Sequence, residues 1–256
     1  MLINSEGIVL RQKKIANNRR MITLFTKKYG KISAGTGINE RSKGKAALAL
    51  RPFTYANYNI YKGRGYYNID GAEVLESYYS IGEDIDCFMI ASKLLSYIES
   101  ILPENQTQPR LFEFAVDCLK SFSQASGNYN TLLYAFIVRS FVLLGIMPEL
   151  NQCVNCGKSL ADLRSEDGGK ARFFSVSGGG ILCSDCSKKA SKEEVALLFE
   201  QDFDIVEVLQ YFMKNSFSLF EKVSLKPEVS IEMQKILSSY LKYYLDSNLL
   251  EKNMKF

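Results

Sequence analysis

The chain has 256 residues, 46% of them hydrophobic and 23% charged, which is the composition of a soluble globular protein and enough for one large domain or two ordinary ones. It contains no histidine, which excludes a Ser-His-Asp triad, a Cys-His pair, a histidine-ligated catalytic zinc and a zinc deaminase site. The net charge of +4 hides an asymmetry: residues 1–82 carry fourteen Lys and Arg against five Asp and Glu, a net of +9, and the remainder carries −5. A basic head on an acidic body points to a polyanionic partner for the head.

Residues 1 to about 80 read as short strands. Ser5 to Leu10 opens the series, and a polar basic stretch from Arg11 to Arg20 follows. Met21 to Thr26 is β-branched and aromatic, Lys27 to Gly30 turns, and Lys31 to Ala34 resumes. Gly35 to Gly44 is a loop rich in glycine and charge. Leu50 to Lys62 places Phe53, Tyr55 and Tyr61 at period two, with Tyr58 out of phase, and Tyr66 to Glu76 returns after a Lys62-Gly-Arg-Gly65 turn. Such strands predict a small antiparallel barrel, an OB-fold first and an SH3-like barrel second.

From Ser80 the period becomes helical. Helices are expected over Glu83–Leu102, Leu111–Phe122 and Asn130–Leu144, the last apolar nearly all round. Within it Arg139 predicts a buried ion pair with Asp117 or Glu113. Helices resume at Ser191, where Ser191-Lys-Glu-Glu194 fits a capping box, and are expected to continue to about Phe217; a last helix follows Pro227 to about Leu249. No signal peptide is expected, and the apolar run Leu132–Met147 is too short and too interrupted to span a bilayer. The fold class is therefore α+β: an N-terminal barrel over residues 1–80 and a helical domain over 81–256, carrying an insertion at 148–190.

That insertion holds the strongest motif. Cys153-Val-Asn-Cys156-Gly157 and Gly178-Gly-Gly180-Ile-Leu-Cys183-Ser-Asp-Cys186 form two C-x2-C pairs, the arrangement of a zinc ribbon or knuckle. Four soft sulfurs close a tetrahedron and leave no position for water, so one structural Zn2+ is expected ahead of a catalytic zinc or a redox dithiol. Cys87 and Cys118 lie in apolar helical patterns and read as buried thiols.

In the basic head the candidate nucleic-acid contacts are Arg11, Lys13, Lys14, Arg19, Arg20, Lys27, Lys28, Lys31, Arg41, Lys43, Lys45, Lys62 and Arg64. Cations track phosphates, while Phe53, Tyr55, Tyr58, Tyr66 and Tyr67 are candidates for stacking on bases, although most of these aromatics alternate as core residues would.

The order of parts resembles the RecO family of bacterial recombination mediators. The resemblance is carried by Leu24-Phe-Thr-Lys-Lys-Tyr-Gly-Lys-Ile32, by Leu50-Arg-Pro-Phe53 and above all by Leu143-Leu-Gly-Ile-Met-Pro-Glu-Leu-Asn-Gln-Cys-Val-Asn-Cys-Gly157; Phe173-Phe-Ser and Gly179-Gly-Ile-Leu-Cys-Ser-Asp-Cys186 complete it. One departure is that Ala34-Gly-Thr-Gly-Ile38 stands where the family usually carries a small-Lys-Gly-basic run. The resemblance implies a non-enzymatic cytoplasmic protein that binds single- and double-stranded DNA and anneals complementary strands. It implies work with RecR, and in places RecF, to load RecA on strands coated by single-strand binding protein, with no membrane role. No G-x4-G-K-[ST] phosphate loop is present. An RNA-associated OB and zinc-ribbon protein is the alternative, separable by competition between DNA and RNA oligomers. A zinc hydrolase and a protein-binding scaffold are more distant readings.

Overall fold

The computed structural model describes residues 1–15, 19–38 and 44–250. Five strands close a barrel: β1 (Leu2–Lys14), β2 (Arg20–Thr26), β3 (Gly30–Thr36), β4 (Thr54–Lys62) and β5 (Tyr67–Ser77), in the order β1-β2-β3-β5-β4. β4 returns antiparallel to β1, while β3 meets β5 in a short parallel pairing of Ala34 with Tyr67 and Gly35 with Asn68. This is the five-stranded Greek-key order of an OB-fold and not that of an SH3-like barrel.

Alternation fills the barrel. Ala56, Tyr58 and Ile60 of β4 point inward with Ile22, Leu24, Ile32 and Ile69, all fully or almost fully buried. The aromatic in phase with the core is thus Tyr58, the one that broke the apparent period, and Tyr55 and Tyr61 take the outer face. Tyr58 keeps its buried hydroxyl satisfied by donating to the Ala49 carbonyl at 2.6 Å. Ala49 ends α1 (Lys45–Ala49), a short helix that was not among the expected elements, and β4 starts at Thr54 instead of Leu50. Phe53 just before it has φ +60° and packs edge-on against Phe88 at 5.6 Å, so it belongs to the core.

A 3-10 turn over Tyr79–Gly82 leads into α2 (Ile85–Ile101), whose N-cap Asp84 accepts the Cys87 N–H at 2.8 Å. α3 (Pro109–Gln124) starts on a proline, whose missing N–H costs nothing in the first turn. Phe112 of α3 meets Phe25 of β2 edge-on at 5.2 Å, which is why β2 is buried on both faces. The strands end at Ser77, but packing groups α2 and α3 with the barrel: the first compact unit ends at Tyr129 and the second begins at Asn130.

In the second unit α4 (Tyr129–Leu144) is buried almost all round. Arg139 Nε donates to the Phe212 carbonyl at 2.9 Å, and its guanidinium lies 4.3 Å from the centre of the Phe217 ring. α5 (Leu160–Glu166), β6 (Phe173–Ser175), β7 (Gly180–Leu182), α6 (Ser184–Ser187), α7 (Lys192–Val195), β8 (Leu198–Glu200), α8 (Ile205–Lys214), α9 (Phe217–Phe220) and α10 (Pro227–Leu245) follow. The capping box of Ser191 and Glu194 is present, but the helical stretch expected from Ser191 to about Phe217 is interrupted by a strand. Leu198 to Glu200 instead pairs with β6, completing a small sheet of order β7-β6-β8, and a new helix begins only at the Asp204 cap. Among the described residues no helix is long and apolar enough to cross a membrane.

Candidate metal centre and nucleic-acid interface

The four ribbon cysteines converge because backbone ladders join their two segments. Glu149 N–H donates to Gly179 at 2.8 Å, Ile181 N–H to Glu149 at 3.1 Å and Val154 N–H to Ile181 at 2.9 Å. The first pair sits in a tight knuckle. There the Cys153 N–H donates to Lys158 at 2.8 Å and the Gly157 N–H to Cys153 at 2.9 Å, with Gly157 at φ +75°, where a Cβ would strain the chain. The second pair ends β7 and starts α6, Cys183 being its N-cap. Tyr240 of α10 packs against Phe174 of β6 at 6.0 Å and Phe141 of α4 at 4.9 Å, so the hairpin is pinned to the helices.

All four Sγ atoms lie within 4.8 Å of one another, and Cys156 and Cys183 are 3.7 Å apart. A cation bound about 2.3 Å from each of four sulfurs in a tetrahedron needs edges of about 3.8 Å. The cysteine cluster therefore fits a metal ion. Burial pushes the Cys153 thiol up, but N–H groups of Cys156, Cys183 and Asn155 more than offset it, leaving the thiol at about 7. Burial, followed by its thiol neighbours, drives Cys186 up to about 12. A divalent ion bound among the four sulfurs supplies the positive charge that favours their thiolate forms.

The candidate cations of the barrel separate into distinct groups. Arg20 is only 4% exposed, and its guanidinium donates to Gln12 Oε1 at 3.1 Å and the Ile38 carbonyl at 3.0 Å, so it braces the barrel. Arg11, Lys27 and Lys31 face carboxylates: Arg11 with Glu99 at 2.9 Å, Lys27 with Glu6 and Glu113 at 3.7 and 3.8 Å, Lys31 with Glu104 at 3.8 Å. Lys13, Lys14, Arg19, Lys28, Lys62 and Arg64 are exposed. Lys45 opens α1, while Arg41 and Lys43 lie outside the described residues.

Of the candidate stacking aromatics, Phe53 and Tyr58 are core, and Tyr55 is held at its hydroxyl by Glu6 at 2.5 Å. Burial and the Glu6 carboxylate raise the Tyr55 pKa. Tyr66 and Tyr67 do line a groove, joined by Tyr61, whose outward phase at the strand end was the signal for it. The groove is a cavity of about 630 Å3 that also includes Arg19, Met21, Gly35, Asn68 and Asp70. Tyr66 lies across the β4–β5 turn with its ring centre 6.2 Å from that of Tyr61. Its pose depends on Gly63, since a Cβ there would come within 2.3 Å of the Tyr66 ring. Lys62 Nζ stands 5.7 Å from the centre of Tyr67, whose hydroxyl donates to Asn105 at 3.0 Å. Rings, cations and an open wall thus meet at one mouth of the barrel, where an OB-fold presents its loops β1–β2 and β4–β5.

Residues 1–78 match the family model described as "Recombination protein O N terminal", and residues 82–252 match "Recombination protein O C terminal". Similar curated proteins include "DNA repair protein RecO" of Thermoanaerobacter sp., 32% identical over 249 residues, covering 96% of this chain and 93% of that one. The protein of the same name from Caldanaerobacter subterraneus is 29% identical, covering 98% and 96%, and that of Bacillus subtilis 26%, covering 100% and 94%. With both halves matched and relatives of this length alongside, the chain belongs to the recombination protein O family.

Proposed function

We propose that this protein is a DNA-binding recombination mediator in DNA repair. It binds single- and double-stranded DNA, anneals complementary strands and, with RecR, helps load RecA on strands coated by single-strand binding protein; RecF joins in some settings. The observation that carries the reading is the groove at the barrel mouth, in which Tyr61, Tyr66 and Tyr67 stand with the exposed cations Arg19 and Lys62, and the adjoining β4–β5 turn exposes Arg64. The names of its relatives, DNA repair proteins, support the reading, and the cytoplasm is the compartment proposed for it.

Residues 1–80 serve as the nucleic-acid domain. The cations at the groove rim neutralise phosphates and release counterions, while the tyrosine faces take stacked bases. A strand held mainly by its backbone and its base faces keeps the pairing edges of the bases outside the groove available. A second strand approaches a surface on which charge is already compensated. This protein breaks no bond, and the reading assigns it no catalytic residue. In the second unit Cys153, Cys156, Cys183 and Cys186 would hold one Zn2+, which staples the hairpin and supplies no open coordination site.

Annealing of complementary oligomers coated with single-strand binding protein, with and without RecR, tests the reading. Faster annealing with this protein than without it, dependent on the groove tyrosines, is the expected result. Annealing at the spontaneous rate would overturn the mediator reading.

A further inference from the structure

The barrel groove contains one feature that phosphate binding does not need, a carboxylate. Asp70 of β5 is exposed in the groove beside Asn68, at a register shift in the β4–β5 pairing. The two are tied together, Asn68 Nδ2 donating to Asp70 Oδ1 at 3.4 Å. Across the parallel pairing stands Gly35, whose lack of a side chain leaves the floor of the groove low beside Asn68.

We infer that Asp70 makes this groove selective among bases, favouring those with an exocyclic amino group over thymine. The inference rests on the groove being a single-strand site. A carboxylate repels phosphate, so a strand seats its backbone along the cationic rim at Arg19, Lys62 and Arg64 and turns its bases toward Asp70. An ionised carboxylate only accepts hydrogen bonds. Adenine and cytosine each offer an amino group on the pairing edge, and guanine offers an amino group beside a ring N–H, a pair that matches the two carboxylate oxygens. Thymine offers one ring N–H flanked by two carbonyl oxygens, and both carbonyls are repelled by the carboxylate. With one lobe of Asp70 tied to Asn68, its Oδ2 is the acceptor turned to the base. The tyrosines supply stacking that is indifferent to sequence, so the discrimination comes from the floor alone.

The experiment compares oligo(dT) with an alternating dA/dC oligomer of equal length, at one salt concentration, on the full chain by fluorescence anisotropy. The amino-bearing oligomer is expected to bind about tenfold more tightly, the worth of one hydrogen bond to a charged group. In Asp70→Asn the ratio between the two falls toward one, because the amide can donate to thymine O4, and oligo(dT) gains affinity. Asp70→Ala serves as a second variant that removes acceptor and charge together and also flattens the ratio. Equal binding of the two oligomers by the unaltered protein overturns the inference while leaving the groove as a DNA site. So does a gain of affinity in Asp70→Asn that is equal for both oligomers, which would make Asp70 a mere repulsive charge. Failure of both oligomers to bind would overturn the single-strand reading and this inference with it.

Discussion

Replacing Tyr66 by alanine separates the binding role of the groove from its place in the fold. Tyr66 is 56% exposed, with its ring tilted against that of Tyr61 and lying close over Gly63. Truncation leaves no buried cavity, so the change in folding free energy stays within about 0.5 kcal/mol. The loss in binding is larger. Stacking of a base on an aromatic ring is worth about 1–3 kcal/mol, so the dissociation constant for a single strand rises about fivefold to 150-fold. Tyr58 four residues before Lys62 provides the opposite case. Its ring is fully buried and its hydroxyl is satisfied inside the barrel, so Tyr58→Ala costs about 3–5 kcal/mol of stability. The two variants are compared by urea unfolding and by anisotropy with a labelled single-stranded oligomer. A Tyr66→Ala protein that is stable and binds as tightly as the unaltered one would refute the assignment of the groove.

The remaining predictions concern the braces and the metal. Arg20→Ala is expected to cost about 1–3 kcal/mol in urea unfolding, because the Gln12 and Ile38 oxygens lose their donor, and to reduce DNA affinity less than Arg64→Ala does. In the second unit Asp204 is 6% exposed, caps α8 at the Glu207 N–H and pairs with Arg164 at 2.7 Å; Asp204→Ala should cost about 3 kcal/mol by the same method. Cys153→Ser together with Cys183→Ser should abolish binding of the ion, read as zinc per chain by elemental analysis, and lower the melting temperature of the second unit. Retention of one zinc per chain in that double variant would move the site elsewhere.

Much of this was legible from local pattern. The two C-x2-C pairs specified their own neighbourhood, because thiol spacing and the glycine of the knuckle are local requirements. The strands of the barrel and the helices α2, α3, α4 and α10 followed from period and from proline. What failed depended on partners distant in sequence. Leu198 to Glu200 is apolar enough to continue a helix from the Ser191 cap, but the open edge of β6 offers backbone hydrogen bonds that outweigh propensity. The Asp204 cap was a readable signal of a fresh start at Ile205. Aromatic alternation in β4 was real, yet its phase could not be set without knowing which face the barrel closes over, so Tyr58 and Tyr61 exchanged roles. Charge counting located the basic region and could not show that Arg20 is buried or that Lys31 is only 15% exposed at its side chain beside Glu104.

The central claim is that the exposed cations at the groove grip a single strand by its phosphates. The slope of log affinity against log salt concentration measures that directly, since each phosphate neutralised on a single strand contributes about −0.7. Replacing Arg19, Lys62 and Arg64 together by alanine should make the slope shallower by about 2, with folding unchanged. The same slope in the triple variant and the unaltered protein would place the DNA somewhere other than the groove.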